Sequence, residues 1–320
     1  MTSQQIEYIL VLAEERNFSK AAKRLFVTQP SLSQFIRNLE YQLKTVLFDR
    51  STSPLKLTPA GEAFVKAARK IQAIENELNY ELADLSDLQV GELTIGTSPF
   101  RASFLLTKSI AAFHKKYPRI KLNIITDSIN ALSNSLLEGN IDICIDTNIF
   151  DPKIFQVEIL SDETYYLAVP KGHPFNLERE NLQLTPEDIT YDSDYYYQVD
   201  ALDLSLCENH PFIIVEPGQS PHNVFIEIFK ESNINPNIIL YSSQIETAFH
   251  WVLSGIAFTF IPDTLIRFGN YADHPVYYKL NNEHATNEIV FASKKNRYLS
   301  KAAHEYIVLL KKLIGQGTWL

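Results

Sequence analysis

The chain has 320 residues, more than a single hydrophobic core usually serves, so more than one folding unit is expected. Hydrophobic residues make up 45% and charged residues 21%, as in globular proteins with a sizeable core, while only 10 glycines argue against glycine-rich phosphate loops. The formal charge of −9, taken alone, argues against a nucleic-acid partner, because such domains usually present a basic surface.

The charge is unevenly distributed along the chain. Residues 1–70 carry eleven Lys and Arg against six Asp and Glu, a formal +5. Residues 71–88 carry five acids and no base, and the remainder carries −9. A basic head on an acidic body is the asymmetry expected of a regulator with a DNA-binding module.

Other features predict a cytoplasmic protein without a membrane partner. No apolar run reaches the ~18 residues of a membrane span. The first residues lack a basic segment and a small-residue cleavage site, so they do not resemble a signal peptide. The two cysteines, Cys144 and Cys207, are expected to be reduced thiols.

The first 58 residues have a helical pattern. Helical spacing predicts a first helix over residues 2–15, with an inward stripe of Ile6, Ile9, Leu10 and Ala13. A second helix is predicted to begin at Ser19, whose hydroxyl suits an N-cap. Thr28 and Pro30 mark the start of a third helix, because proline in the first turn lacks only an N–H that would be unpaired anyway.

The third helix has two distinct faces. Its predicted buried stripe is Leu32, Ile36, Leu39 and Leu43, and its opposite face carries Ser31, Ser33, Gln34, Phe35 and Arg37. Two short helices with a polar second helix predict a helix-turn-helix, in which the second helix meets base edges in the major groove. The alternative is an ordinary helical hairpin with a polar surface.

Residues 59–87 predict one long helix that begins at Thr58 and Pro59. Apolar residues recur every three or four positions, which is typical of a paired helix: Phe64, Ala67, Ile71, Ile74, Leu78, Leu82 and Leu85. Such a helix dimerises with a second copy or packs on its own domain. Its length without an adjacent compact partner favours dimerisation.

Strand-like and helical segments alternate after residue 90, which predicts parallel α/β architecture. Polar residues follow several strands, where ligands of open α/β folds bind. They are Thr97, Ser98, Arg101, Asp127, Ser128, Thr147, Asn148, Gln219, Ser220, His222 and Asn223. Taken singly, each is better explained as a helix cap or turn residue.

Three segments of the head together resemble the LysR-type transcriptional regulators. They run from Phe18-Ser-Lys-Ala-Ala through Thr28-Gln-Pro-Ser-Leu-Ser to Ile36-Arg-Asn-Leu-Glu40, followed by Leu47-Phe-Asp-Arg50 and Leu57-Thr-Pro-Ala-Gly-Glu62. The order of segments after residue 90 also matches, so the resemblance covers nearly the whole chain.

The resemblance implies an N-terminal all-α winged helix-turn-helix domain at 1–58 and a linker and dimerisation helix at 59–88. The wing would be residues 49–57, with Arg50 on a phosphate. The implied DNA-binding residues are Gln29, Pro30, Ser31, Ser33, Gln34, Phe35, Arg37 and Arg50. Phe35 stands where the family often has a polar residue; it contacts a thymine methyl or packs against the wing or a partner helix.

The resemblance also implies a C-terminal α/β effector domain at 89–320 with two lobes, like a periplasmic binding protein. Lobe I would comprise 90–161 and 268–300, and lobe II 162–267, joined near 164–169 and 257–261. A small-molecule co-inducer of unknown identity would bind at Thr97, Ser98, Arg101, Ser128, Asn148, Gln219, Ser220 and His222. Arg101 would attract an anion or lie at the surface as an ordinary charge.

The implied protein is a homodimer or homotetramer on double-stranded DNA with an inverted-repeat operator, and RNA polymerase is a further expected partner. No catalytic motif, metal spacing or cofactor signature appears, so no enzyme activity is expected. The alternative function is a small-molecule binding protein without a transcriptional role.

The largest departure from the family is an acidic, tyrosine-rich insertion of roughly twenty residues within 175–206, longer than most loops. It forms a lid, an inter-subunit contact or, by slight preference, a solvated loop.

Overall fold

The computed structural model describes residues 1–85, 91–147 and 149–315. The chain divides into two compact units, Met1–Leu88 with Leu137–Asn140, and Gln89–Leu136 with Ile141–Leu320. Within the described residues, no helix combines the length and the apolar character needed to cross a lipid bilayer.

The described part of residues 1–88 contains four helices and a two-stranded ribbon. The helices are α1 (Ser3–Glu15), α2 (Phe18–Arg24), α3 (Gln29–Leu43) and α4 (Pro59–Leu85), and the strands are β1 (Phe48–Asp49) and β2 (Lys56–Leu57). The two strands pair antiparallel, Phe48 opposite Leu57, which confirms the predicted wing ribbon. Helices α2 and α3 are the predicted helix-turn-helix pair.

Side-chain caps set where these helices begin. The Thr2 hydroxyl accepts from the Gln5 amide and begins α1. Asn17, and not Ser19, caps α2, because the Asn17 carboxamide oxygen accepts from the amides of Ser19 and Lys20. The predicted start of α3 is confirmed: Thr28 caps it, and Pro30 lies in its first turn.

The apolar stripes of α1 and α3 meet in one core. Leu32, Ile36 and Leu39 are buried as predicted, but Leu43 is 42% exposed. Leu43 is the last residue of α3, and Lys44 turns the chain away with a φ of 52°. A stripe defined by periodicity therefore extends one turn beyond the surface it packs against.

Helix α4 has one packed face and one unpacked apolar face. Val65 and Ala68 are buried in the N-terminal core, and Phe64 packs against that core instead of joining a seam. The exposed apolar side chains follow helical spacing: Ile71, Ile74, Leu78 and Leu82. The side chain of Leu85 lies outside the described part of the chain.

The C-terminal unit alternates helices and strands. Its helices are α5 (Pro99–Phe104), α6 (Thr107–Lys116), α7 (Ile129–Glu138), α8 (Pro186–Tyr191), α9 (Asp194–Gln198), α10 (Ser220–Glu231), α11 (Ile245–Leu253), α12 (Asp263–Phe268) and α13 (Lys301–Gly315). Its strands are β3 (Gly91–Thr97), β4 (Ile120–Thr126), β5 (Ile143–Thr147), β6 (Phe155–Val169), β7 (Gln183–Leu184), β8 (Pro211–Val215), β9 (Asn237–Ser242), β10 (Thr259–Pro262), β11 (Val276–Tyr278) and β12 (Thr286–Lys294).

The main sheet is mixed rather than purely parallel. Its strand order is β4-β3-β5-β12-β6-β11-β7, and β10 also pairs with β6. Strand β3 is parallel to β4 and β5, whereas β12 is antiparallel to both β5 and β6. Helical periodicity and strand spacing predict the elements but not their direction of pairing.

Strand β6 joins two lobes, each with its own apolar core. The first half of β6 pairs with β12 in lobe I, and its second half pairs with β10 and β11 in lobe II. Helix α13 packs in the core of lobe I.

The second connection differs from the prediction. Tyr277 and Tyr278 pair with β6 and β7 and are buried in the core of lobe II. Lobe II therefore extends beyond residue 267 to about 285, and the chain re-enters lobe I at Thr286, opposite Thr164, instead of near 257–261. The apolar run at 276–278 identifies a strand without indicating which lobe it completes.

The insertion is folded and is not a solvated loop. It contains α8 and α9, and β7 pairs with β11. Ile189, Leu184 and Val199 are buried in the core of lobe II. These aliphatic residues, spaced among the acids and tyrosines, provide the apolar surface that attaches the segment.

Gly61 provides a test of how α4 is attached. A Cβ at this position would lie 2.0 Å from the Leu47 carbonyl oxygen, whereas a Cβ at Gly91 would meet nothing within 4 Å. We expect Gly61→Ala to destabilise the N-terminal unit by about 2–3 kcal/mol, since backbone must move to relieve the overlap. Urea unfolding of the full chain, followed by circular dichroism, measures this. Gly91→Ala is the matched control, and equal effects of the two substitutions would refute the packing argument.

Candidate nucleic-acid interface and effector cleft

The first two turns of α3 present the predicted DNA-binding residues to solvent. Gln29, Pro30, Ser31, Gln34 and Arg37 are exposed, and Ser33 is partly exposed. The opposite face of the helix is anchored in the core, so these positions are fixed by packing. The result is a rigid row of hydroxyl, amide and guanidinium groups, which are suited to base edges and phosphates.

Gln34 has a side-chain hydrogen-bond partner within the protein, and Arg37 has none among the described residues. The Gln34 amide donates to Asn38 Oδ1 at 2.9 Å, an interaction along the helix surface. Among the described residues, Arg37 has neither a hydrogen-bond nor an ion-pair partner. An exposed, unpaired guanidinium is available to a phosphate or to the O6 and N7 atoms of guanine.

Phe35 is partly buried and packs against α1 of the N-terminal unit. Its ring lies 4.7 Å, centroid to centroid, from the Tyr8 ring of α1 and touches the hydrophobic core. The apolar residue at this position therefore has a structural partner, and the rest of the exposed face is polar.

Arg50 on the wing is held by an acid of α3. Its guanidinium lies 2.6 Å from Glu40 Oε2, and Glu40 Oε1 accepts from the amides of Leu47 and Phe48. The Arg50 side chain remains 32% exposed. Glu40 thus attaches the wing to the end of α3, a role that sequence reasoning missed because its partners lie seven to ten residues away.

Only four of the eight predicted effector residues line a common cavity. Ser98, Arg101, Gln219 and Ser220 line one small cavity between the two lobes. The cavity measures about 20 Å³, room for a single water molecule. The Ser220 hydroxyl donates to Thr147 Oγ1 at 2.7 Å and closes the lobes on each other.

Arg101 is neither a surface charge nor a free anion site, contrary to both predicted roles. It is 2% exposed. Its guanidinium donates to Glu163 at 2.8 and 2.9 Å and to Asp146 Oδ1 at 3.2 Å. A further N–H donates to Thr147 Oγ1 at 2.8 Å. Four N–H groups are therefore satisfied inside the protein.

The carboxylates of this network are equally enclosed and satisfied. Asp146 also accepts from the amides of Ser98 and Thr147 at 2.8 Å. Glu163 also accepts from the hydroxyls of Thr264, at 2.5 Å, and Tyr165, at 3.3 Å. Asp146 and Glu163 are 0% and 1% exposed. The network joins lobe I, the hinge strand β6 and helix α12.

The charges in the network stabilise one another. Burial alone would lower the pKa of the Arg101 guanidinium, but the carboxylates of Glu163 and Asp146 outweigh it and raise this pKa. Burial would raise the pKa of Glu163, but Arg101 and the hydroxyl donors hold it below its usual value. Arg101 and Glu163 therefore stay charged. Counted with the Asp146 carboxylate, the network has a formal sum of −1.

The other predicted effector residues have local partners or lie elsewhere. Thr97 is fully buried and donates to the Ile145 carbonyl at 2.7 Å. The His222 ring Nδ1 lies 2.7 Å from the Val215 carbonyl oxygen. Ser128, at the start of α7, is not among the residues lining the cavity. Asn148 lies outside the described residues.

Sequence reasoning missed Asp146, Glu163 and Thr264 as members of the site. An acid at the end of the apolar run Ile143-Cys-Ile-Asp146 is a signal that could have indicated a buried charge with a partner. Glu163 has no such signal, because its neighbour Asp162 has the same chemistry and points to the opposite face of β6.

Both cysteines are buried. Burial raises the pKa of the Cys144 thiol well above its usual value and that of Cys207 to about 12. Neither thiol has the accessible thiolate character of a redox sensor.

Two family models match the chain. The model described as "Bacterial regulatory helix-turn-helix protein, lysR family" matches residues 3–62, and the model "LysR substrate binding domain" matches residues 86–314.

Similar proteins cover the chain nearly end to end. The Bacillus subtilis HTH-type transcriptional regulator YcgK is 27% identical over 97% of this chain and 94% of its own length. A probable RuBisCO transcriptional regulator of Chlorokybus atmophyticus is 28% identical over 95% and 93%.

Solved structures share the fold. The full-length regulator CbnR in complex with its target DNA has a TM-score of 0.66 at 20% identity, covering 99% of this chain and 100% of CbnR. A full-length OxyR variant of Pseudomonas aeruginosa has a TM-score of 0.68 at 24% identity, covering 98% and 94%.

The buried network predicts a large cost for removing its cation. We expect Arg101→Met to destabilise the C-terminal unit by about 3–5 kcal/mol, because Asp146 and Glu163 would stay buried without a counter-charge. Urea unfolding measures this. The control is Lys121→Met, which removes a cation that pairs with Glu92 at 2.9 Å but is 65% exposed; its transition should not move. An Arg101→Met transition that coincides with that of the control would contradict the assignment.

Proposed function

This chain belongs to the LysR family of transcriptional regulators, and on that premise we propose that two copies bind an inverted-repeat operator through their α3 helices under the control of a small molecule. The observation that carries the DNA proposal is the exposed face of α3 with its unpaired Arg37. The net charge of +5 on residues 1–70 supports it, since phosphate contacts supply much of DNA affinity.

The DNA-binding residues fall into two groups. Gln29, Ser31, Ser33, Gln34 and Arg37 would contact bases or phosphates from the major groove, with Pro30 fixing the helix start. Arg50 would contact a phosphate beside the minor groove from the wing. Its ion pair with Glu40 supports this role, because the pair orients the guanidinium while leaving part of it exposed.

The homodimer would form through α4. Ile71, Ile74, Leu78 and Leu82 form an exposed apolar stripe that the N-terminal core does not cover. Apolar residues at this spacing pack well against the same stripe of a second helix. Pairing two heads in this way would place two α3 helices on related half-sites. Assembly to a tetramer, contact with RNA polymerase and a cytoplasmic location are proposed on the family alone.

The small molecule would enter between the lobes at Ser98, Gln219 and Ser220. The two hydroxyls and the amide are polar groups that a ligand can use, and the Ser220–Thr147 hydrogen bond is one that a ligand would replace. The cavity is too small for a metabolite in this closed arrangement, so binding would require the lobes to separate.

DNA binding is tested with Arg37→Ala and Ser33→Ala. In mobility-shift titrations on DNA upstream of the protein's own gene, we expect Arg37→Ala to weaken specific binding roughly tenfold, the loss of one base or phosphate contact. Ser33→Ala should change the preference between operator variants more than the overall affinity. Lys230→Ala is the control, because it removes an exposed cation from the C-terminal unit. Unchanged affinity and specificity in both α3 variants would refute the recognition-helix assignment.

Dimerisation is tested with the double variant Ile74→Glu and Leu78→Glu. Both side chains are more than half exposed in the single chain, so the substitutions should not unfold it. Acids placed opposite each other would repel across a paired helix, and we expect sedimentation velocity to show a shift toward monomer. Gln72→Glu adds a charge at an exposed α4 position outside the stripe and should leave the assembly intact. An unchanged assembly in the double variant would place the dimer interface elsewhere.

A further inference from the structure

A second cavity, separate from the cleft, lies beside the hinge of the C-terminal unit. It measures about 440 Å³, within the range of small-molecule sites, and shares no lining residue with the cleft cavity. We call it the hinge cavity. Its lining includes Ser161 and Asp162 of β6 and Ile289 of β12, the two strands that connect the lobes.

The insertion forms one wall of the hinge cavity. The last residues of α8 and its C-cap Asp192 line it, together with Arg267 of α12. The Arg267 guanidinium donates to the Thr190 carbonyl at 2.7 Å and to Asp192 Oδ1 at 2.9 Å. The ion pair and hydrogen bond of Arg267 therefore hold this wall in place.

The cavity also has an apolar wall, formed by Leu105, Phe268, Ile289 and Ile314. Leu105 is the C-cap of α5, and the other three belong to α12, β12 and α13. Leu105 and Ile289 are almost fully buried, so this surface is fixed by the core of lobe I. A hydrocarbon group placed against it would gain about 0.8 kcal/mol for each CH₂ removed from water.

The charges lining the cavity are predominantly negative. Asp162, Asp192 and Asp263 face a single cation, Arg267, a formal sum of −2. Arg267 is already occupied, because it also pairs with Asp263 at 3.4 Å. Burial and the nearby Glu163 raise the pKa of Asp263 to about 7, so a negative sum remains even when Asp263 is protonated.

Asp162 is the carboxylate available to a ligand. It is exposed, and its side chain has no hydrogen-bond or ion-pair partner among the described residues. An anionic ligand would have to displace an acid from Arg267, whereas a cation can pair with the Asp162 carboxylate without displacing another group.

We propose that the hinge cavity binds a small organic cation, an alkyl or aryl ammonium that lays its hydrocarbon part on Leu105 and Phe268 and its charge at Asp162. This site is additional to the cleft between the lobes, and its binding can be measured without DNA. If no cation binds the hinge cavity, the operator-binding proposal still stands. If the chain does not bind an operator, the hinge-cavity proposal still stands.

The first test compares two probes of equal length and opposite charge. Isothermal titration calorimetry of the full chain at pH 7.5 uses n-hexylamine, which is an ammonium ion there, and sodium hexanoate. We expect hexylamine to bind at least about tenfold more tightly than hexanoate. n-Propylamine, with three fewer CH₂ groups, should bind more weakly than hexylamine because it covers less of the apolar wall. Equal binding of amine and acid, or no heat with hexylamine up to about 10 mM, would overturn the proposal.

The second test asks whether the ammonium group pairs with the Asp162 carboxylate. Asp162→Asn should weaken hexylamine binding about threefold to fivefold, the range of a solvent-accessible ion pair. Asp200→Asn is the matched control, since Asp200 is also exposed but does not line the cavity. Both variants should keep the thermal midpoint of the parent chain. Identical hexylamine affinities for the two variants would show that binding occurs elsewhere and would refute the site.

Discussion

The C-terminal unit depends on one buried ion-pair network, Arg101 between Asp146 and Glu163. Placing three charges out of water costs several kcal/mol for each ion, and only close, well-directed hydrogen bonds offset that cost. Here four donors of Arg101 and all four carboxylate oxygens have partners within 3.3 Å. Because Arg101 belongs to α5, Asp146 to β5 and Glu163 to the hinge strand β6, the network attaches lobe I to the strand that joins the lobes. Thr264 of α12, in lobe II, donates to the same Glu163 carboxylate.

The same network determines what a ligand meets in the cleft. An acidic effector finds no unpaired guanidinium at Arg101, and the cluster it approaches carries a formal −1. The groups that remain available are the hydroxyls of Ser98 and Ser220 and the amide of Gln219. A ligand bound at these proposed residues would therefore replace hydrogen bonds between the lobes, in particular that of Ser220 to Thr147. Its binding would require the lobes to separate.

The head of the protein was predictable because its signals are local. Thr28 and Pro30 define the start of α3 within three residues, and the spacing of Leu32, Ile36 and Leu39 identifies its buried face. The buried network was not predictable, since Arg101 finds its partners 45 and 62 positions away, and no spacing rule links them. The prediction that the insertion is a solvated loop was wrong for a different reason. Its acids and tyrosines dominate the composition, but Ile189 and Val199 decide its packing.

One short chain of hydrogen bonds runs between the cleft cavity and the hinge cavity. Thr264 lines the hinge cavity and donates to Glu163, and Glu163 holds Arg101, which lines the cleft. A ligand in the hinge cavity that moved Thr264 would therefore act on the carboxylate that positions the cleft arginine. Thermodynamic linkage would then make the effect reciprocal: a ligand in the cleft and a ligand in the hinge cavity would change each other's affinity by the same factor. Strand β6 carries Glu163 toward the cleft and Asp162 toward the hinge cavity, so two adjacent acids on opposite faces of one strand connect both sites to the hinge.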